Sequence, residues 1–158
     1  MDEMRLDVLV TGYRIERTNP SELSSILSLL NDVDLPAEGV KDNISNFLTL
    51  KDNDDDSNFE PWGCAGLEIY GNSALLRSLA IAPEYQGKGL GTVLTEALIQ
   101  DARERGIKTL FLLTETAEDF FRHFGFRVVE REIVPKDVKT SIEFTKLCTE
   151  TPAMMLEI

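Results

Sequence analysis

The sequence is poor in cysteine and histidine, and this shortage excludes several kinds of site. Its 158 residues include two cysteines, Cys64 and Cys148, and one histidine. The cysteines lie far apart and form no paired pattern, which argues against a disulfide framework and against a zinc site. A reducing, cytoplasmic compartment is therefore expected, and no metal ion is expected in the function.

Basic residues are also scarce, with 16 Lys and Arg against 28 Asp and Glu and a net charge of -12. Nucleic acids and anionic membranes both require clustered cations, so neither is expected as a partner. No stretch approaches the roughly 20 apolar residues that span a bilayer. The first ten residues lack the pattern of a signal peptide. These absences predict a soluble protein with a strongly acidic surface.

An acidic segment could suggest a calcium site, but its spacing argues against one. Its carboxylates are Asp52, Asp54, Asp55 and Asp56. A calcium-binding EF-hand loop needs glycine at its sixth position and glutamate at its twelfth, and neither is correctly placed. We therefore expect a solvated hairpin loop.

The first helix has a clear start. Asn19 is a suitable N-cap, Pro20 suits the first helical position, and Glu22 completes the capping-box pattern. Apolar residues then recur at helical spacing on one face. They are Leu23, Ile26, Leu27 and Leu30.

The remaining segments predict alternating strands and helices. Strands are expected at residues 8–16, 47–50, 62–70, 74–81, 109–113, 126–130 and 153–158, and further helices at residues 40–47, 90–105, 116–124 and 136–147. Hairpins in the first half and strand-helix-strand units in the second predict an α+β fold, a mixed sheet with helices on both faces. No repeat or linker divides the chain, so residues 1–158 are expected to form one domain.

A glycine-rich turn between a strand and a helix is the strongest functional signal. Residues 86–91 contain three glycines in five positions, so the backbone can approach a ligand closely. The unpaired N–H groups and positive dipole end of the next helix suit a phosphate, and Lys88 supplies a local cation. The spacing fits neither a Rossmann dinucleotide site nor a P-loop. The residues alone leave open both the phosphate ligand and a purely structural turn.

The wider motif set resembles the GNAT superfamily of acetyl-CoA-dependent N-acetyltransferases. Its Q/R-x-x-G-x-G/A pattern is met by Gln86, Gly89 and Gly91, and residues 79–83 and 120–126 resemble its flanking motifs. The order of elements matches that fold over nearly the whole chain. The resemblance implies a twisted, mostly antiparallel sheet that is splayed between its fourth and fifth strands.

A narrower resemblance suggests the substrate. Residues 63–68, 74–80 and 112–117 are similar to the arsenic-resistance N-acetyltransferase branch and, in part, to the acetyltransferase domain of N-acetylglutamate synthases. Glu115 and Thr149 depart from these patterns. The resemblance implies an enzyme that transfers an acetyl group to a small amino-acid-like amine by direct attack in a ternary complex. A non-catalytic acyl-CoA-binding or sensor domain and a protein N-acetyltransferase are the alternatives, and a homodimer is left open.

The same resemblance implies which residues bind acetyl-CoA. The backbone of Leu79, Ala80 and Ile81 would bond the pantetheine amides. The N–H groups of the turn and of the first helical residues would hold the pyrophosphate. Those residues are Gln86, Gly87, Lys88, Gly89, Leu90, Gly91 and Thr92.

Catalysis requires a group that removes a proton from the substrate ammonium. The resemblance points to Glu68, an acid in an otherwise apolar strand, and Glu115 is the competitor. The family commonly places a thiolate-protonating tyrosine where this chain has Phe121, so water or the released ammonium is expected to supply that proton. His123 is expected to be a helix-end residue, and Cys64 a small core residue.

Arg77 is the candidate for substrate binding. It lies within an apolar run, where an arginine is costly without a partner. Either a carboxylate of the chain or a substrate carboxylate would pair with it, and the bidentate geometry favours the substrate. Thr114 is a weaker candidate for substrate binding, and Tyr70 is a weak candidate for a polar contact.

Overall fold

A computed structural model describes residues 12–54 and 60–158 of the chain. Its strands are β1 (Tyr13–Arg17), β2 (Phe47–Asp52), β3 (Gly63–Tyr70), β4 (Ser73–Ile81), β5 (Thr109–Leu113), β6 (Arg127–Val129) and β7 (Ala153–Glu157). Its α-helices are α1 (Leu23–Asp32), α2 (Val40–Asn43), α3 (Leu90–Glu104) and α4 (Glu118–Arg122). The start of the first predicted strand, residues 8–11, and the loop residues Asp55 and Asp56 lie outside the described residues. None of the helices in the described ranges has the length and apolarity needed to span a membrane.

Seven strands are hydrogen-bonded in the order β1-β2-β3-β4-β5-β7-β6. The pairs β1–β2, β2–β3, β5–β7 and β6–β7 are antiparallel, and β4–β5 is parallel. The β4–β5 register runs from Ser73 opposite Thr109 to Leu75 opposite Phe111. This parallel pair fits the predicted splay between the fourth and fifth strands. The mixed, mostly antiparallel sheet predicted from the sequence is confirmed.

The chain divides into two compact units, the first comprising Met1–Gly66 and Ser78–Leu98 and the second Leu67–Arg77 and Ile99–Ile158. The prediction of a single domain stays a prediction. In the first unit, the apolar face of α1 packs into a core cluster, as its helical spacing predicted. Its buried members are Ile26, Leu29, Leu30, Val40, Ile44, Phe47, Cys64, Ala80 and Ala82.

The capping box at the start of the first helical segment is confirmed. The Asn19 side chain accepts a hydrogen bond from the Ser21 N–H at 2.9 Å, and the Asn19 N–H donates to the Glu22 carboxylate at 2.9 Å. A single 3₁₀ turn, Pro20–Glu22, leads directly into α1. Donors that would lack an acceptor at the helix start are satisfied by these two side chains.

The second unit has its own core. Its segment at residues 136–147 differs from the last predicted helix. Its buried cluster comprises Leu75, Phe111, Val134, Val138, Phe144, Ala153 and Met155. Instead of one helix over residues 136–147, a 3₁₀ turn (Val138–Thr140) and a π-helical segment (Glu143–Leu147) are separated by Ser141 and Ile142. The buried Ser141 hydroxyl accepts the Glu143 N–H at 3.1 Å, so a side chain takes the place of a helical acceptor there.

Candidate functional site

The glycine-rich turn in the first unit is fixed by its first residue. The Gln86 side-chain amide donates to the Ile81 carbonyl at 2.9 Å, which ties the turn to the end of β4. Gly87 and Gly89 have φ angles of 78° and 82°, a region that L side chains rarely adopt. A Cβ built at either glycine meets no atom within 4 Å. The glycines are therefore required by the backbone conformation and leave open space above the turn.

The helix α3 begins directly after this turn. Leu90 is buried and anchors the first turn of the helix, whereas residues 86–89, including Lys88, are exposed. The first N–H groups of a helix have no acceptor within it, and their dipoles point toward an incoming anion. The α3 start and the exposed turn together can hold a phosphate group.

The strand before the turn is distorted at Ser78. This residue has a φ of 61°, which is unusual for a residue other than glycine. Its carbonyl accepts a hydrogen bond from the Cys64 thiol at 3.3 Å. Complete burial raises the pKa of the Cys64 thiol to about 12, so Cys64 is a neutral core residue. After Ser78, Leu79 and Ile81 are half-buried and Ala80 is buried.

In the second unit, β3 and β4 bring three predicted polar residues together. Glu68 Oε2 accepts from Arg77 Nη1 at 2.7 Å, and Glu68 Oε1 accepts from the Tyr70 hydroxyl at 2.6 Å. The Arg77 side chain is 0% exposed and that of Glu68 is 4% exposed. The partner of Arg77 is thus a carboxylate of the chain, one of the two alternatives that the sequence left open.

A second carboxylate, Glu143, also faces Arg77, and the sequence did not single it out. Its Oε2 lies 3.5 Å from Arg77 Nε, and its side chain is 9% exposed. Burial raises the pKa of Glu143; the nearby Arg77 lowers it, and the negative charge of Glu68 raises it further. Burial and the hydrogen bond to Glu68 likewise raise the pKa of Tyr70. We call Glu68, Arg77 and Glu143 the buried charge cluster, and the half-buried Tyr70 borders it.

The other candidate residues of the second unit have local roles. The Thr114 hydroxyl accepts the Ala117 N–H at 3.0 Å, just before α4. Glu115 accepts a hydrogen bond from the Thr151 hydroxyl at 3.2 Å. Phe121 is buried and packs edge-on against its aromatic neighbours. His123 is exposed at the end of α4, as predicted.

Comparison with known proteins gives a family match and more distant whole-fold matches. The model of the acetyltransferase (GNAT) domain matches residues 44–128. An amino-acid acetyltransferase of Mannheimia succiniciproducens is 33% identical over 85 residues, which cover 52% of this chain and 19% of the relative. An uncharacterized N-acetyltransferase of Chlorobaculum tepidum is 31% identical over 94 residues, 59% of this chain and 56% of the relative. The chain thus spans less than two thirds of either relative.

A solved structure extends the match to the whole fold. N-acetylglutamate synthase of Neisseria gonorrhoeae, complexed with coenzyme A and N-acetyl-glutamate, superposes with a TM-score of 0.77 at 20% identity. The match covers 94% of this chain and 35% of the synthase. At this identity the structural similarity concerns the fold alone, and the resemblance to amino-acid acetyltransferases is confirmed by the 33% identity to the Mannheimia relative. The resemblance to the arsenic-resistance branch stays a prediction.

Proposed function

The chain belongs to the GNAT family of acetyltransferases, and from this membership we propose that it transfers an acetyl group from acetyl-CoA to the amine of a small amino-acid-like molecule. The geometry of the glycine-rich turn is the observation that carries the proposal. The turn is exposed, it is fixed to β4 through Gln86, and it opens a 15-residue helix. These are properties that binding of a pyrophosphate requires.

Acetyl-CoA would bind along the end of β4 and the turn. The backbone of Leu79, Ala80 and Ile81 would pair with its pantetheine amides. The N–H groups of the turn and of the first α3 residues would hold its pyrophosphate, with Lys88 as a cation in an otherwise acidic protein. The open space at Gly87 and Gly89 leaves room for this approach. The coenzyme A bound in the gonococcal synthase supports the choice of ligand.

An amino-acid-like acceptor is supported by the relatives. The Mannheimia relative is an amino-acid acetyltransferase, and the gonococcal synthase was solved with N-acetyl-glutamate. We propose Thr114 as a substrate contact. Direct contact of Arg77 with a substrate carboxylate stays a prediction, and we propose that Arg77 also acts through Glu68, whose carboxylate it holds.

Glu68 is the proposed proton acceptor. A substrate amine is protonated at neutral pH, and its nitrogen has a lone pair for attack only after it loses a proton. The amine nitrogen attacks the thioester carbonyl of acetyl-CoA, the carbon–sulfur bond breaks, and coenzyme A leaves as a thiolate. Because Phe121 has no hydroxyl, water or the released ammonium would protonate that thiolate. Glu115 is the alternative proton acceptor.

One observation favours a second candidate function, that of a non-catalytic acyl-CoA sensor. Both carboxylate oxygens of Glu68 are engaged, one by Arg77 and one by Tyr70. The same two hydrogen bonds are expected if Glu68 only stabilises the fold and takes no part in catalysis.

Thiol release from acetyl-CoA separates these functions. We expect turnover with at least one member of an amine panel that contains the common amino acids, and tight binding of acetyl-CoA by calorimetry. Tight binding with no turnover on any amine would support the sensor. Turnover on peptide N-termini but not on free amino acids would support a protein acetyltransferase. Failure to bind acetyl-CoA would contradict all three.

A further inference from the structure

Glu143 is a buried carboxylate that the proposed reaction does not use. Its oxygen lies 3.5 Å from Arg77 Nε, while the Glu68 oxygen lies 2.7 Å from Arg77 Nη1. All three side chains are at most 9% exposed. One buried cation thus faces two carboxylates, and ionisation of both would leave an excess negative charge in the interior, which is costly.

The position of Glu143 is fixed by its backbone. Its N–H donates to the Ser141 hydroxyl at 3.1 Å, and its carbonyl accepts the Cys148 N–H at 2.7 Å. The π-helical segment Glu143–Leu147 therefore holds the carboxylate in place against Arg77. Glu143 is built into the cluster rather than being a surface acid that happens to lie nearby.

Titratable groups on three elements lie around Glu143. Arg77 on β4 favours its ionised form, and Glu68 on β3 disfavours it. Tyr70, also on β3, donates to Glu68, and the Cys148 thiol at the end of the π-helical segment is influenced by the charge of Glu143. The charge of Glu68 therefore acts on the titration of Glu143, and this effect is the coupling between the two carboxylates.

We propose that Glu143 is a positioning residue, which divides Arg77 between two carboxylates and thereby sets how readily Glu68 accepts the proton of the substrate ammonium. The inference rests on the proposed function, in which Glu68 is the acceptor. When Glu143 is ionised, Arg77 is shared and Glu68 is the better proton acceptor. When Glu143 is protonated, the Arg77 charge acts on Glu68 without competition from Glu143, and turnover falls.

The direction of the pH effect follows from the burial of Glu143. Burial raises its pKa, so protonation begins at a higher pH than for an exposed glutamate. As the pH is lowered through that pKa, turnover should decrease. The Glu143→Gln variant cannot ionise and should stay in the low-turnover form at every pH.

The first readout is turnover as a function of pH. At pH values above the pKa of Glu143, Glu143→Gln should lower kcat by about tenfold. This loss is smaller than the full rate contribution of a positioned proton acceptor. The substitution should also remove the acid-side step that belongs to Glu143, while KM for acetyl-CoA stays unchanged. The matched control is Glu118→Gln, because Glu118 is a 36% exposed carboxylate of the same unit that pairs with Arg122 at 3.5 Å. If Glu143→Gln fails to fold, Glu143→Asp replaces it; it should lower kcat but keep the acid-side step.

The second readout does not depend on activity. Carbon-13 NMR of the glutamate carboxyl groups should show a Glu143 resonance, identified by its loss in Glu143→Gln, that titrates above the ordinary glutamate pKa of about 4.3. Removing the charge of Glu68 by Glu68→Gln should lower that pKa.

The two readouts separate the possible failures. An ordinary titration of Glu143, or no response to Glu68→Gln, would overturn the inference whether or not the protein is active. A coupled titration with kcat of Glu143→Gln equal to that of Glu118→Gln would overturn the positioning role and leave the proposed function intact. A coupled titration in a protein that acetylates no amine would overturn the proposed function, and the positioning role with it.

Discussion

The glycine-rich turn makes a sharp prediction because the chain contains a matched control for it. Gly89 has a φ of 82°, and a Cβ built there meets no atom within 4 Å. Gly106, at the other end of α3, has the same φ of 82° and the same open surroundings. Gly89→Ala and Gly106→Ala therefore impose equal backbone strain, and Gly89 alone lies in the proposed pyrophosphate site.

The expected stability loss is the same for both variants. An L residue in the left-handed region costs about 1–2 kcal/mol. For a chain of this size each kcal/mol lowers Tm by roughly 2–4 °C, so Tm should fall by roughly 2–8 °C in either variant. Thermal unfolding measured without ligand checks this equality.

Binding of coenzyme A should distinguish the two variants. The new methyl group at residue 89 would lie in the open space through which the pyrophosphate approaches the backbone. Loss of one hydrogen bond to a charged group costs about 1.5–3 kcal/mol, which corresponds to a roughly 10- to 150-fold weaker Kd. Isothermal titration calorimetry should show this loss for Gly89→Ala and an unchanged Kd for Gly106→Ala.

The outcome that refutes the assignment is equal affinity in the two variants. If Gly89→Ala binds coenzyme A as tightly as Gly106→Ala does, the turn does not hold the pyrophosphate. If both variants bind coenzyme A more weakly than the unmodified protein and to the same extent, backbone strain and not the ligand site governs binding.

Three further predictions concern catalysis, reactivity and stability. Glu68→Gln should lower kcat by at least about 100-fold with little change in acetyl-CoA affinity, as expected for loss of a proton acceptor; retained turnover in steady-state assays would place the base elsewhere. Because the pKa of Cys64 is raised to about 12, roughly one thiol in ten thousand is ionised at pH 8. Iodoacetamide should therefore label the half-buried Cys148 first, and labelling of Cys64 in the folded protein, detected by mass spectrometry, would contradict its burial. Asn19→Ala removes the cap on Ser21 and should cost about 1 kcal/mol in urea unfolding; an unchanged midpoint would show that the cap adds nothing.

The features that the sequence predicted best depend on neighbouring residues. The capping box at Asn19 and the glycine-rich turn between a strand and a helix involve groups within a few positions of one another, so residue type and spacing are sufficient. The strand at Thr109–Leu113 was predicted at its observed bounds because a short apolar run suits a buried strand. The last helix was predicted wrongly because Ser141 bonds the backbone with its side chain, which periodicity cannot reveal.

The sequence by itself determined the family, the order of the strands along the chain and the position of the glycine-rich turn. It also showed that Arg77 needs a partner, since a buried guanidinium is costly alone. Only the tertiary structure decided which of 28 acidic residues provide it. Glu68 is brought to Arg77 by the short turn between β3 and β4, but Glu143 reaches it only through the packing of a segment distant in the chain. Long-range contacts of this kind depend on how elements pack, and no local pattern of residues encodes them.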